Sequence, residues 1–400
     1  MKTKELLNTA VVVAALGYFV DVYDLVLFLV VGKKSLADLG IPIENFELLL
    51  NVQMIGMLIG GIVWGVMGDK NGRISVLFGS ILTYSLANIA NAFVPNLEMY
   101  IALRFIAGFG LAGELGAGVT LVSEIMKKEN RGYGTMLIAS IGVTGAVVAG
   151  LVGQIDWKVS YLIGGGLGIS LLLLRIGVFE SGMFNTLKQQ EVSRGNFFAL
   201  FYKRETFLRY LNCIMLGLPV WFIIGILVGQ ADKFGKALGI QGDIVAGLCV
   251  MFCYAGLVFG DLASGALSQI LQSRKKVFVI FYILCLLNIA IYLNINGMDV
   301  VIFYSIIFFL GFSVGFWAIF VTIASEQFGT NVRATVTTTV PNFVRGSLVP
   351  ITIVFKFIVS YMGLIQGTAI TAVIIFAICF ASLWFTKETF GKDLDYFEYI

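Results

Sequence analysis

The sequence predicts an all-α membrane protein of 12 transmembrane helices, arranged as two pseudo-symmetric six-helix bundles. Three observations carry this. Of the 400 residues, 58% are hydrophobic and only 13% charged, whereas a soluble domain has about 25% charged residues. Apolar stretches of roughly 18 or more residues recur from end to end, each long enough to cross about 30 Å of hydrocarbon. Several polar signatures of the first half also return in the second half, at an offset of about 200 residues. A β-barrel is excluded, because its strands would read as short alternating segments.

Taken in order, apolar blocks between charged or Gly-rich breaks place spans near 10–31, 48–68, 75–94, 99–125, 134–154 and 158–178, then 207–230, 244–271, 276–295, 299–325, 334–361 and 365–386. The opening MKTKELLNTA resembles the charged start of a signal peptide, but the apolar stretch runs on past Asp21 to Val31 without a small-residue cleavage pattern. It therefore reads as an uncleaved first span. An even number of spans puts both termini on one side. With the termini in the cytoplasm, only Lys33, Lys34, Lys158, Lys233 and Lys236 fall outside, and nearly all other Lys and Arg fall inside. The positive-inside rule therefore sets the orientation, with both termini cytoplasmic in a multi-pass inner-membrane protein.

The one long connection, near 180–206, divides the spans six and six. The expected organisation is a first bundle over 1–180, a cytoplasmic linker over 181–206 and a second bundle over 207–400. The linker is too short for a soluble domain. Its end, FFALFYKRETFLRY, reads either as an amphipathic helix on anionic lipid or as a plain connection. GVMGDKNGR at Gly65 and GALSQILQSRKK at Gly265 share a frame, as do SEIMKKENRG (from Ser123) and SEQFGTNVRA (from Ser325). The sixth span ends in FES and the twelfth in KET. Such a duplicated six-helix unit places its site between the halves, at the bilayer midplane.

These loops resemble those of the major facilitator superfamily. Gly65, Asp69, Lys70, Gly72 and Arg73 match its hallmark turn after the second helix. RFIAGFGLAGELGAG from Arg104, VDVYDLVLF around Asp21 and Asp24, and the tail KETFGKDLDYFE resemble motifs of its sugar, sialate, aromatic-acid and metabolite proton symporters. The match is incomplete: the tail and sixth-helix motifs lack proline, and Gln269 stands where the second hallmark turn has Asp. The resemblance implies a conformational latch of Gly65, Asp69, Gly72 and Arg73, with Glu124 and Arg131, and Glu326 and Arg333, as Glu–Arg pairs at the inner ends of helices four and ten. A carboxylate at Asp69 would face the N-terminus of a helix from the other half, where about half a positive charge resides.

An ionised carboxylate in hydrocarbon costs about 3 kcal/mol, so intramembrane acids normally face a cavity or a partner. At about 1.5 Å per residue, Asp21 falls near the midplane, Asp24 one turn further out and level with Arg104, and Glu114 roughly 15 Å deeper than Arg104. Asp261 falls in the inner part of the eighth span and Arg345 near the midplane of the eleventh. The chain has no histidine, so Asp21, Asp24, Glu114 and Asp261 are the candidate proton carriers. Asp21 and Asp24, at i and i+3, share a helix face. The expectation is an Asp24–Arg104 pair, with Arg345 for Asp21, that breaks when the acid takes a proton; the alternative is permanent ion pairs that fix helix packing. The resembled symporters use a first-helix aspartate and a fourth-helix arginine in the former way. Candidate substrate-binding residues are Arg104, Arg345, Asn342, Tyr23, Trp221, Tyr254 and Trp317, because a guanidinium grips a carboxylate bidentately and aromatic rings line many metabolite sites.

The five cysteines lie in apolar spans without metal-ligand spacing and read as packing residues. The glycines between Gly108 and Gly118 read as a helix-packing face. Gly108–Gly110 lacks the preceding strand and the lysine of a nucleotide loop. No nucleophile–base constellation stands out, so an enzyme is not expected. The expected function is proton-coupled uptake of a small polar metabolite, a carboxylate-bearing organic acid, by alternating access. No cofactor is expected beyond the coupling proton; the partners are substrate and lipid, without nucleic acid, and the protein is expected to be a monomer. An amino-acid or sugar carrier, an exporter of the same fold and, remotely, a non-transporting ligand sensor are the alternatives.

Overall fold

A computed structural model describes residues 9–127, 131–175 and 195–398. Among them are 12 helices long and apolar enough to cross a membrane. They are α1 (Thr9–Asp38), α2 (Asn45–Asn71), α3 (Arg73–Asn91), α4a (Leu97–Leu111) with α4b (Glu114–Ile125), α5 (Arg131–Val152) and α6 (Trp157–Leu174). The second half has α7, which begins at Arg204–Met215, continues through Leu218–Phe222 and widens over Ile223–Val228. It is followed by α8 (Ala246–Leu271), α9 (Arg274–Asn294), α10a (Val300–Ser313) with α10b (Trp317–Gln327), α11a (Arg333–Gly346) with α11b (Leu348–Met362), and α12 (Leu364–Phe385). Several helix starts carry the cap their sequence offers. The Asn96 side chain accepts from the Met99 N–H, Asp156 from Lys158 and Val159, and Asp299 from Val301, which satisfies amide groups the helix itself cannot.

The duplication seen in the sequence recurs in the packing. Gly56 and Gly60 of α2 press on the backbone carbonyls of Phe105 and Phe109 in α4a, and Gly256 and Gly260 of α8 press on those of Phe308 and Phe312 in α10a. Gly108 meets the Gln53 carbonyl, as Gly311 meets that of Cys253. A Cβ at any of these positions would collide with backbone, so glycine is what allows each helix pair to approach this closely.

The two bundles meet along two lines. In one, α5 runs beside α8, with Gly150 against Met251 near one end and Gly265 against Met136 near the other. In the other, α2 packs on α11a, where Gly65 meets Thr335, Gly61 meets Asn342 and Gly346 meets Leu58. After Gly346 the helix breaks. Pro350 lacks the N–H that would bond the Gly346 carbonyl, and α11b exposes Ile353, Phe357 and Tyr361. The halves are thus held most tightly at the end that carries both termini, here called the terminal end.

The 12 expected spans are all present, with shifted limits and with breaks in the fourth, seventh, tenth and eleventh. The expected linker falls largely outside the described residues. Its last part is neither one amphipathic helix nor a free connection: Phe197–Phe201 forms a tight 3-10 turn capped by Asn196, and α7 starts at Arg204. Phe197 is buried against Tyr210 and Phe343, and the Gly195 N–H donates to the Asn331 carbonyl at 3.0 Å. Apolar burial of a phenylalanine outweighs the amphipathic pattern there.

Candidate functional site

Between the halves lies a narrow cavity, lined by Tyr18, Val22, Trp221, Tyr254, Trp317 and Arg345 among others. Its walls are mainly apolar and aromatic, with one guanidinium. Trp317 donates its indole N–H to the Tyr18 hydroxyl at 2.9 Å, a bond that crosses the seam. The indole N–H of Trp221 is buried without a hydrogen-bond partner. Arg345 is only 2% exposed. One of its nitrogens lies 4.0 Å from Asp21 Oδ2, another donates to Asn342 Oδ1 at 3.0 Å, and its guanidinium lies 5.8 Å from the Trp317 ring centre. Neither oxygen of Asp21 has a hydrogen bond. The pair is loose, and a loose buried ion pair can be rearranged by a proton or a ligand at lower cost than a fully bonded one.

Of the expected site residues, Arg345, Trp221, Tyr254 and Trp317 line this cavity, and Asp21 lies behind its wall against Arg345. Others do not. Asp24 points into the interior of the first bundle, against Gly164 of α6, because the i,i+3 step rotates it away from Asp21 by about one sixth of a turn. Arg104 makes no ion pair with it among the described residues. It donates instead to Gln53 Oε1 at 3.3 Å and Asn88 Oδ1 at 3.0 Å, and stacks between Phe28 and Tyr161 at 5.5 and 5.0 Å. Tyr23 also turns inward and donates to the Ser160 carbonyl at 2.9 Å.

Glu114 is engaged elsewhere. It opens α4b and forms a buried ion pair with Arg175, which also donates to the Leu77 carbonyl at 2.7 Å. Asp261 accepts the Ala318 N–H at 3.0 Å, so it caps α10b where Gly315 crowds Gly260 and the helix is broken. Both acids stabilise free amide groups or a cation within their own half. Asn342 does not line the cavity. Its amide nitrogen donates across the seam to the Ala112 carbonyl at 3.0 Å and back to Thr338 at 2.8 Å.

A second cluster closes the terminal end. Asp69 accepts from the Ala334 N–H at 3.0 Å, the Thr335 N–H at 2.8 Å and the Thr335 hydroxyl at 2.7 Å, all in the first turn of α11a. Gly72 sustains the turn at φ 104°, a conformation costly for other residues. Arg73 reaches Glu124 at 2.8 Å and the Thr330 carbonyl at 3.1 Å. Glu124 also takes Arg333 at 3.1 Å from the other half, and Glu326 takes Arg274 at 3.1 Å. Glu124 thus pairs with the turn arginine Arg73 and, across the seam, with Arg333, while Glu326 pairs with Arg274 in place of the expected Arg333; the side chain of Arg131, the expected partner of Glu124, lies outside the described residues.

The sequence profile of the Major Facilitator Superfamily matches residues 14–351. The chain belongs to this superfamily. A Haemophilus influenzae protein whose name assigns it to metabolite transport is 26% identical over 96% of this chain and 97% of its own. The niacin transporter NiaP of Acinetobacter baylyi is 35% identical over 38% of this chain and 36% of its own. The solved structure of the proton:xylose symporter XylE superposes with a TM-score of 0.77 at 16% identity, covering 99% of this chain and 98% of that one. This superfamily member is a multi-pass membrane transporter of small metabolites, not an enzyme.

Reasoning from sequence missed several participants in this transporter. Arg175 and Arg274 sit at helix ends, where arginine normally reads as a topology signal, yet both side chains fold inward to a buried glutamate. The tail beyond α12 is missed as well. Leu394 is fully buried and its carbonyl accepts from Arg333, while Glu398 pairs with Arg209 at 2.8 Å. Leu394, set between Asp393 and Asp395, was the available signal.

Proposed function

We propose that this transporter couples inward movement of a small carboxylate-bearing metabolite to a proton, with both termini on the cytoplasmic side of the inner membrane. The observation that carries this reading is the loose Asp21–Arg345 pair, 4.0 Å apart across the seam at the wall of the central cavity. An acid there is expensive to ionise without its cation. A proton taken by Asp21 releases Arg345, whose guanidinium then holds the substrate carboxylate by two parallel hydrogen bonds. Proton and anion cross together, so the loaded cavity gains no net charge. When substrate and proton leave on the other side, the pair re-forms and the empty carrier returns.

Three further points support the reading. The cavity's aromatic lining suits a ring or short apolar body behind the carboxylate. One relative is named for niacin, itself a pyridine carboxylic acid, and the similar fold of XylE is named as a proton symporter. The Lys and Arg bias of the terminal end supports the orientation.

The test is counterflow in proteoliposomes against carboxylates, amino acids and sugars, with a pH dye inside. Aromatic and aliphatic carboxylates are expected to exchange, and their uptake to acidify the lumen. Asp21→Asn is expected to retain exchange and lose gradient-driven accumulation. Arg345→Gln is expected to weaken carboxylate binding about 10- to 100-fold, the worth of a charged hydrogen bond. Uptake that moves no protons would overturn the coupling, and sugar exchange without carboxylate exchange would overturn the substrate class.

A further inference from the structure

One side chain links the closure at the terminal end to the arginine of the cavity. Asn342 stands on α11a one turn from Arg345, in the tight space opposite Gly61 of α2, where a Cβ would lie 3.0 Å from its amide nitrogen. Its amide group is divided between two tasks. The oxygen accepts from Arg345 Nη1 at 3.0 Å, while the nitrogen donates across the seam to the Ala112 carbonyl at 3.0 Å. Ala112 lies in the two-residue break between α4a and α4b. That carbonyl belongs to the first half and Asn342 to the second, so the bond exists only while α4 and α11a are closed on each other.

We propose that Asn342 is the positioning residue that ties the orientation of Arg345 to closure of the terminal end. With the gate closed, the Ala112 carbonyl and the Thr338 carbonyl of its own helix together fix the amide plane, and the amide oxygen in turn aims the guanidinium toward Asp21. When the halves part at this end, the amide keeps only the Thr338 bond, its plane is free to turn, and Arg345 is no longer held at Asp21. Neither asparagine's donor nor its acceptor alone would do: a carboxylate would hold Arg345 but repel the carbonyl, and an apolar side chain would serve neither. The neighbouring contacts fit a gate meant to open. Thr120 meets Thr337 at 2.5 Å and Thr322 meets Thr135 at 2.8 Å, hydroxyl pairs that water can replace at little cost. The role in transport rests on the proposed coupling through Asp21 and Arg345; the link between Asn342 and the gate does not.

The experiment uses the full chain with its five cysteines replaced by alanine and Thr120→Cys as a reporter of access from the terminal end. In Asn342→Asp, thiol labelling of that reporter is expected to rise about fivefold, as loss of one seam hydrogen bond implies. Gly61→Ala, which pushes on Asn342 without replacing it, should raise labelling in the same direction by less. In proteoliposomes Asn342→Ala, which leaves Arg345 free for the substrate but no longer aims it at Asp21, should keep counterflow while accumulation driven by the gradient falls. Unchanged labelling in Asn342→Asp and Gly61→Ala would overturn the proposal, as would counterflow and accumulation falling in parallel. A wild-type protein that moves no protons would instead sink the coupling reading while leaving the labelling result to stand.

Discussion

The turn between α2 and α3 and the turn between α8 and α9 hold equivalent places in the two halves, yet they treat the opposite half differently. The first presents Asp69 to the N-terminus of α11a through three hydrogen bonds. The second has Gln269, whose amide nitrogen is packed against Gly132 in the first turn of α5 and has no hydrogen-bond partner. A carboxylate at a helix N-terminus is worth about 0.3–1 kcal/mol, and up to about 2 when partly buried; a neutral amide forgoes most of that. The arginines diverge too. Arg73 shares Glu124 with Arg333 of the other half, whereas Arg274 spends itself on Glu326 and Ser268 of its own half. Among the described residues, closure of the terminal end is therefore borne by one charged clasp, and the α5/α8 line can act as the side about which the halves swing.

The largest way to break this asymmetry is Glu124→Gln. It strips the common carboxylate from two buried guanidinium groups, and removing one member of a buried pair costs about 3–5 kcal/mol. Carbonyls of Gly68, Thr330, Ser325 and Leu394 still serve the two arginines, so the lower value is expected. Thiol access from the terminal end should rise strongly, and the melting temperature should fall. Equal effects from Glu326→Gln on access would contradict the comparison, because among the described residues that glutamate binds within its own half, to Arg274 and Thr389.

A smaller effect comes from exchanging the two clasps. Asp69→Asn should cost about 2 kcal/mol of the closed state, biasing the carrier toward opening at the terminal end. Gln269→Asp should do the reverse by less than about 1 kcal/mol, because a carboxylate there would gain the α5 amide groups. Its expected signature is slower turnover with reduced labelling at the terminal end. Should Gln269→Asp speed turnover, α5/α8 cannot be the swinging side.

How much of this was legible beforehand follows the range of the forces involved. Span number, the duplication and the first latch are written in local patterns: apolar blocks, and a Gly-x-x-x-Asp frame whose spacing alone sets the turn. Depth counting also found Asp21 and Arg345, because both lie near the midplane of their helices. It failed for Asp24, since depth carries no information about rotation, and 60° turned that acid from the seam into the bundle. It failed for Glu114 because Arg175 lies 61 residues away in sequence and reaches it by the length of its side chain. Helix breaks at Ala112, Gly315 and Ser347 were hidden for a similar reason. The exposed backbone groups there are satisfied by partners from other helices, such as Asp261 and Asn342, which no local pattern announces.

The smallest expected effect concerns what the second clasp has in place of a carboxylate across the seam. Glu388, beyond the end of α12, sits over the start of α9, accepting from the Ser273 hydroxyl at 2.5 Å and from the N–H groups of Arg274 and Lys275 at 3.0 and 3.2 Å. Partial burial alone would push its carboxyl up, but these bonds and the Phe390 N–H hold it below the ordinary glutamate range. A group held below its unfolded value contributes stability that is fully present above that value and lost as pH falls through the lowered one. Glu388→Gln should therefore melt below wild type near neutral pH, and the gap should close on acidification past about pH 4, the ordinary glutamate value. Because the clasp works within one half, access at the Thr120→Cys reporter should not change over the same range. A gap that widens in acid would mean that Glu388 is held by its protonated form, and access that changes with it would tie the tail to the seam.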